Sequence, residues 1–139
     1  MSNEIELLFV EPLSCEHHGL RMVVVDGEEF AVADTEEQAE KASLSAARES
    51  LWAFNSDFIG SFLELSSSQT AAIQKMQGEL CEGAQEIIAL LLGDRADEFL
   101  SDAVSIDGRG HFLSPYDSEE RDGGEVSPAL QGKLAYRTN

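Results

Sequence analysis

The sequence predicts an α+β domain, a small N-terminal antiparallel β-meander packed on a bundle of about four helices, with a C-terminal segment that could add a strand. Three observations carry that reading. The first 34 residues hold short apolar runs of strand length, two of them separated by Asp26-Gly27, a dipeptide suited to a tight hairpin turn. From Asp34 to Ser105 the apolar residues instead recur every three or four positions. After Asp107 that period gives way to glycine, proline and clustered polar groups. With 139 residues and a hydrophobic share of 42%, the chain is long and apolar enough to bury one core as a single domain.

Taken in order, Ile5 to Val10 reads as a strand ended by Glu11-Pro12, and a polar loop through Cys15, His17, His18 and Gly19 follows. Leu20 to Val25 and Glu28 to Ala33 pair across Asp26-Gly27, where a type I′ turn needs positive φ at both central residues. A helix starts at Asp34-Thr35: Thr35 with Gln38, or Asp34 with Glu37, has capping-box spacing, and the helix should reach about Phe54. Asn55 or Ser56 can cap a short helix over Asp57–Leu65, and Trp52, Phe54, Phe58, Ile59, Phe62 and Leu63 crowd this bend. Ser66–Ser68 supplies another cap. Gln69 to Leu92 then reads as one amphipathic helix with Ile73, Met76, Leu80, Ala84, Ile87 and Leu91 in a single stripe and Cys81 at its edge. Gly93 ends it, and Asp94 caps a helix to about Ser105 with Ala96, Phe99, Leu100, Ala103 and Val104 inward. Residues 106–125 read as a shaped and partly mobile loop, and 126–139 as a tail in which Leu134–Arg137 could pair with the N-terminal sheet.

Charge narrows the function. Asp and Glu number 27 against 9 Lys and Arg, for a net charge of −18. Every stretch of the chain is acidic, residues 106–139 least so with 6 acids and 4 bases. Such a chain repels nucleic acid phosphate and anionic lipid and attracts basic partners, although solubility alone also accounts for it. The sequence up to Val10 lacks a basic n-region, and Ile87–Leu92 is too short to span a bilayer. A cytoplasmic chain with Cys15 and Cys81 reduced is the expectation, with no membrane partner.

Candidate chemistry is sparse. Cys15, His17 and His18 lack the second ligand pair a structural zinc site needs, so no metal or cofactor is expected. Arg109, His111, Ser114, Tyr116 and Asp117 could supply an acid, a base and an oxyanion clamp, yet each could equally be tied up within a satisfied loop. Gly108-Arg109-Gly110 has no strand before it and no helix after it, so it is no phosphate loop. Carboxylates fall in rows: Glu36, Glu37 and Glu40; then Glu79, Glu82 and Glu86 on one exposed face; then Asp94, Asp97, Glu98 and Asp102. Rows of this kind can occupy the basic groove that a protein keeps for nucleic acid, or can be plain solvated faces.

Two segments carry a resemblance. Glu49-Ser50-Leu51-Trp52-Ala53-Phe54-Asn55-Ser56-Asp57-Phe58-Ile59 and Asp107-Gly108-Arg109-Gly110-His111-Phe112-Leu113-Ser114-Pro115-Tyr116-Asp117-Ser118-Glu119-Glu120 resemble a family of small acidic bacteriophage and prophage proteins, with Ser118 in place of that family's glycine. The likeness spans roughly residues 45–120. It implies no activity, cofactor or catalytic residue. What it implies is a context of host takeover or counter-defence, in the cytoplasm of an infected cell. The expected function is therefore an acidic inhibitor, of anti-CRISPR or anti-restriction type, docking by nucleic-acid mimicry on a basic host protein or nucleoprotein complex without touching nucleic acid itself. A second expectation is a non-catalytic interaction protein binding another host or phage protein through Arg109, His111, Tyr116 and Asp117; under every reading the oligomeric state is open, a homodimer included. A small hydrolase-type enzyme is the third. The Asp107–Asp117 segment itself reads chiefly as a clasp.

Overall fold

A computed structural model describes residues 10–139. Three strands come first, β1 (Val10–His17), β2 (Leu20–Val25) and β3 (Glu28–Ala33), then helix α1 (Glu36–Glu49) and a 3₁₀ turn at Leu51–Ala53. Helices α2 (Ser56–Leu63), α3 (Ser67–Leu80) and α4 (Gln85–Leu92) come next, with a 3₁₀ segment Cys81–Ala84 between the last two. A 3₁₀ turn, Gly93–Arg95, leads into α5 (Ala96–Asp107), and a short α6 (Arg109–Leu113) succeeds it. The chain closes with β4 (Arg121–Asp122), the single turn α7 (Gly123–Val126), a 3₁₀ turn Pro128–Leu130 and β5 (Leu134–Arg137). The fold is α+β, as the sequence predicts. It divides into two compact units, one from the chain up to Ala46 and from Val104 onward, the other from Ala47–Ala103. The chain passes between them inside α1 and α5.

The first unit is an antiparallel sheet in the order β1-β2-β3-β5-β4. Asp26 and Gly27 have φ of 51° and 81°, the two positive values the hairpin turn requires. His18 and Gly19, at 52° and 84°, make a second turn of the same kind. The strand expected to stop at Pro12 instead runs on to His17, and the remainder of the expected first strand lies outside the described residues. Proline is tolerated because β1 is an edge strand among the described residues and its register shifts between Pro12 and Glu16, so the missing N–H breaks no central ladder. At the other side of the sheet, β5 pairs Ala31 with Tyr136 and Val32 with Ala135, so the anticipated last strand forms.

Both faces of this sheet are covered. On one, Leu20, Met22, Ala31, Ala33 and Tyr136 pack with Ala39, Ala42 and Ala46 of α1 and with Leu113. Small side chains along α1 let the helix backbone lie close to the sheet. On the other, Val23, Phe30, Val32 and Ala135 pack with Leu130. That second cover comes from residues expected to be loose. Gly123 is buried, and a Cβ there would overlap the Leu130 carbonyl oxygen, so only glycine fits the fold-back. Burial of both faces is why β3 reads buried at four successive positions.

The second unit centres on Phe99, whose ring lies 4.9–5.2 Å from those of Phe54, Phe58 and Phe62. Of the residues expected to crowd this bend, Ile59 is buried and Trp52, Phe54, Phe58, Phe62 and Leu63 are half-buried, while Leu51 before them is buried. Asn55 caps α2 by accepting from Asp57 and Phe58 N–H, and Ser66 with Gln69 forms a complete capping box on α3. The bend around Trp52 is fastened by two glutamines. Gln77 donates to the Trp52 and Phe54 carbonyls, while Gln85 accepts from Trp52 N–H and donates to the Arg48 carbonyl. Helix α1 consequently ends at Glu49 and does not reach Phe54.

The expected helix over Gln69–Leu92 is not continuous. Cys81 takes φ 49° and ψ −123°, ending α3, and the 3₁₀ segment re-phases α4 relative to it. Ile88 and Leu92 are buried where a single stripe predicts Ile87 and Leu91, and Cys81, placed at the edge of that stripe, is exposed. The α5 pattern holds for Phe99, Leu100, Ala103 and Val104, all buried, while Ala96 is half-buried and Asp94, expected as the cap, lies within the preceding 3₁₀ turn.

Candidate protein-binding surface

The segment expected to be neither helix nor strand contains α6. Gly108, at φ 88°, donates its N–H to the Val104 carbonyl and ends α5, and a new turn begins at Arg109. Gly110 is buried for a different reason: a Cβ would stand 2.6 Å from both the Glu119 carbonyl carbon and the Ser118 oxygen. The turn of α6 thus lies directly on the backbone of residues 118–120. That close approach sets Arg109 beside Glu120, with Nε 2.7 Å from Oε1 and Nη2 3.0 Å from Oε2. Such a two-pronged pair is the strongest geometry available to these groups. The same guanidinium is 3.9 Å from the carboxylates of Glu36 and Glu40 on α1.

Glu120 also accepts a hydrogen bond from the hydroxyl of Tyr136, which is fully buried. Burial pushes the Tyr136 hydroxyl pKa up, and the adjacent Glu120 carboxylate pushes it further, so the phenol stays protonated. The hydrogen bond to Glu120 likewise raises the Arg109 pKa against the effect of burial. Next along the chain, buried Ser114 has its Oγ 2.8 Å from both Asp117 Oδ1 and the Arg137 carbonyl; its one proton serves one of them at a time. Arg121 takes the other oxygen of Asp117. The ring N–H of His17 donates to the Leu113 carbonyl across 2.9 Å. Leu113 is buried among the sheet residues, with Phe112 packed against them. Within the first unit, then, the segment works as a clasp.

This pairing sorts the loop residues. Arg109 and Asp117 are committed to partners inside the fold. His111 and Tyr116 are exposed: His111 stands edge-on to Phe112, and the Arg137 guanidinium lies 3.8 Å from the centre of the Tyr116 ring. Neither Glu120 nor Tyr136 stands out in the sequence as a partner of Arg109, because no spacing rule links positions 11 and 27 residues away.

The acidic rows separate by element. Glu36 and Glu37 are exposed on the first turn of α1, and Glu40 is half-buried near Arg109. Glu79, Glu82 and Glu86 are all exposed but do not share one helical face, since they belong to α3, the 3₁₀ segment and α4. The break at Cys81 is the reason. Asp94, Asp97, Glu98 and Asp102 are exposed on the 3₁₀ turn and α5, with Asp97 paired to Arg48 and Glu98 to Arg95. Neither a protein-family model, nor a curated protein, nor a solved structure matches this chain.

The bases complete the electrostatic account. Among the described residues, seven of the nine Lys and Arg side chains hold ion pairs with acids of the same unit. Positive charge is thus spent internally, and both units keep a large negative excess, 17 acids to 6 bases in the first and 10 to 3 in the second. Among the described residues, no group of three or more His, Cys, Asp and Glu is placed to hold a metal ion, and no helix is long and apolar enough to cross a membrane.

Two of these pairs make stability pH-dependent. The hydrogen bond from Lys133 holds the Asp34 carboxyl below its ordinary range, opposed by burial and aided by Arg21. Burial pushes the Asp117 carboxyl up, but Ser114, the Glu119 N–H and Arg121 together outweigh it and leave it lowered. A carboxyl whose folded pKa is depressed stabilises the fold fully above its unfolded value of about 3.9 and loses that contribution as pH falls through the folded value. The gap in urea midpoint between the native chain and Asp34→Asn or Asp117→Asn should be constant above about pH 5 and close in acid. Comparing midpoints at matched pH removes the change in overall repulsion, and a gap that persisted unchanged into strong acid would refute the assignment.

Proposed function

We propose that this chain is a non-catalytic, phage-type inhibitor that lays its acidic surface on a basic, nucleic-acid-handling surface of a host defence complex, as anti-CRISPR or anti-restriction proteins do. The observation that carries this reading is the internal neutralisation of the bases: exposed carboxylates such as Glu37, Glu79, Glu82, Glu86 and Asp102 face solvent while most guanidinium and ammonium groups are paired within the fold. A basic groove built for phosphate meets such a surface with favourable long-range attraction. The resemblance to small acidic phage proteins supplies the host context.

The test is capture of partners from a bacterial host lysate on the immobilised chain at low and moderate salt, with identification by mass. A nucleic-acid-binding partner that is retained at low salt and lost at moderate salt, and lost to Glu79→Lys/Glu82→Lys/Glu86→Lys, is the expected result. Binding indifferent to salt and to those reversals would sink the electrostatic reading. A second reading has its own observation in the exposed aromatic pair, Tyr116 over Arg137 and His111 beside Phe112. There the charge reversals would be tolerated, while Tyr116→Ala or His111→Ala would abolish capture.

A further inference from the structure

Helix α4 has the sequence Gln85-Glu86-Ile87-Ile88-Ala89-Leu90-Leu91-Leu92. Ile88 and Leu92, four residues apart, are its buried line. Ile87, Leu91 and Leu90 are 39%, 48% and 81% exposed. At about 100° per residue, these three side chains fall in one arc roughly 100° wide beside the buried line. Leu80, at the end of α3, is a fourth exposed apolar side chain at 47%. Scattered surface leucines need no explanation, but several on one helical arc form a patch of the kind that marks an interaction site.

The surroundings of the patch say what covers it. Helix α4 carries no Lys or Arg, and Glu86 stands one turn before Leu90. Glu79, Glu82 and Asp94, all exposed, flank it in the chain. A stable interface buries ~800 Å² on each partner, more than three or four half-exposed aliphatic side chains provide, so contact must extend onto the acidic rim. A second copy of this chain would bring like charges together there. A partner with an apolar ridge flanked by Lys and Arg would gain on both counts.

We propose that the Ile87–Leu90–Leu91 face of α4 is the seat for a basic amphipathic helix of the partner protein. Apolar residues at i, i+3 and i+4 of that helix cover the face, and its flanking Lys and Arg meet Glu79, Glu82, Glu86 and Asp94. The proposal rests on the reading of the chain as a binder of basic protein surfaces and adds to it an apolar, sequence-patterned component.

Three labelled synthetic peptides test it by fluorescence anisotropy with the full chain. One is a Leu/Lys helix with leucines at i, i+3, i+4 and i+7, one is the same composition scrambled, and one carries Glu in place of Lys. The patterned Leu/Lys peptide should bind at least about tenfold tighter than the scrambled one, and Leu90→Gln/Leu91→Gln should erase that advantage. Circular dichroism melting of the double variant checks its fold, and the single variant Leu90→Gln, at the most exposed position, serves if the double one melts early. Equal binding of patterned and scrambled Leu/Lys peptides, or no loss in the variants, overturns the seat while leaving the acidic-surface reading standing. No binding of either Leu/Lys peptide overturns both, and tighter binding of the Glu peptide does the same. A dimer in sedimentation equilibrium that Leu90→Gln/Leu91→Gln dissolves would make a second copy the occupant and overturn the proposal.

Discussion

Gly110→Ala is expected to destabilise the first unit by about 3 kcal/mol, the upper end for overpacking a tight site. The added methyl would stand 2.6–2.7 Å from three backbone atoms of residues 118–120. Backbone cannot rotate aside as a side chain can, so either α6 or the 118–120 segment must move. Movement of either separates Arg109 from Glu120, and movement of the 118–120 segment also separates Glu120 from Tyr136. Gly27→Ala is the control. Its Cβ would meet nothing within 4 Å, and its cost is that of a positive φ in a tight turn, about 1–2 kcal/mol. Thermal denaturation of both variants should place Gly110→Ala well below Gly27→Ala. Equal melting temperatures would mean that the close approach of α6 to residues 118–120 is not a constraint.

Arg109→Met should cost about 2 kcal/mol at low ionic strength, below the 3–5 kcal/mol typical of breaking a fully buried pair. The discount reflects exposure, since the Arg109 and Glu120 side chains are 21% and 30% exposed. Methionine keeps much of the aliphatic volume, so the loss is mainly electrostatic. Without the guanidinium, the carboxylates of Glu36, Glu40 and Glu120 face one another uncompensated, and Glu120 keeps only Tyr136 as a side-chain partner of those described. Raised salt screens that repulsion, so the deficit in urea midpoint should shrink as salt is added. Adding Glu120→Gln to Arg109→Met should recover part of the loss, because it removes one charge and keeps an acceptor for the Tyr136 hydroxyl. A deficit independent of salt, with no recovery in the double variant, would assign Arg109 a packing role instead.

Much of the candidate surface is legible residue by residue in the sequence, and little of its geometry is. The carboxylates Glu79, Glu82 and Glu86 are as exposed as their polarity requires, but the helix expected to align them is broken at Cys81. Gly78 and Gly83 on either side are the available sign of that break, since glycine weakens a helix interior. The same break turns Ile87 and Leu91 from expected core residues into exposed ones. An apolar run shows no preferred face when nearly every position is apolar, so its burial depends on the phase in which the preceding segment delivers it. Arg109 is recognisable as a residue that would find an acid, whereas Glu120 as that acid is not.

Local chemistry alone determined the Asp26-Gly27 turn, the caps at Thr35, Asn55 and Ser66, and the inward residues of α5. In each, the deciding interaction lies within a few residues, or the period of the side chains matches one secondary structure only. Tertiary structure decided the rest: the passage of β1 through Pro12, the covering of the second sheet face by Leu130, the turn of α6, and the Arg109–Glu120–Tyr136 group. Those features join residues far apart in the chain. They are selected by the requirement that a buried hydroxyl, a half-buried guanidinium and a close backbone contact all be satisfied at once, a condition no short window of sequence contains.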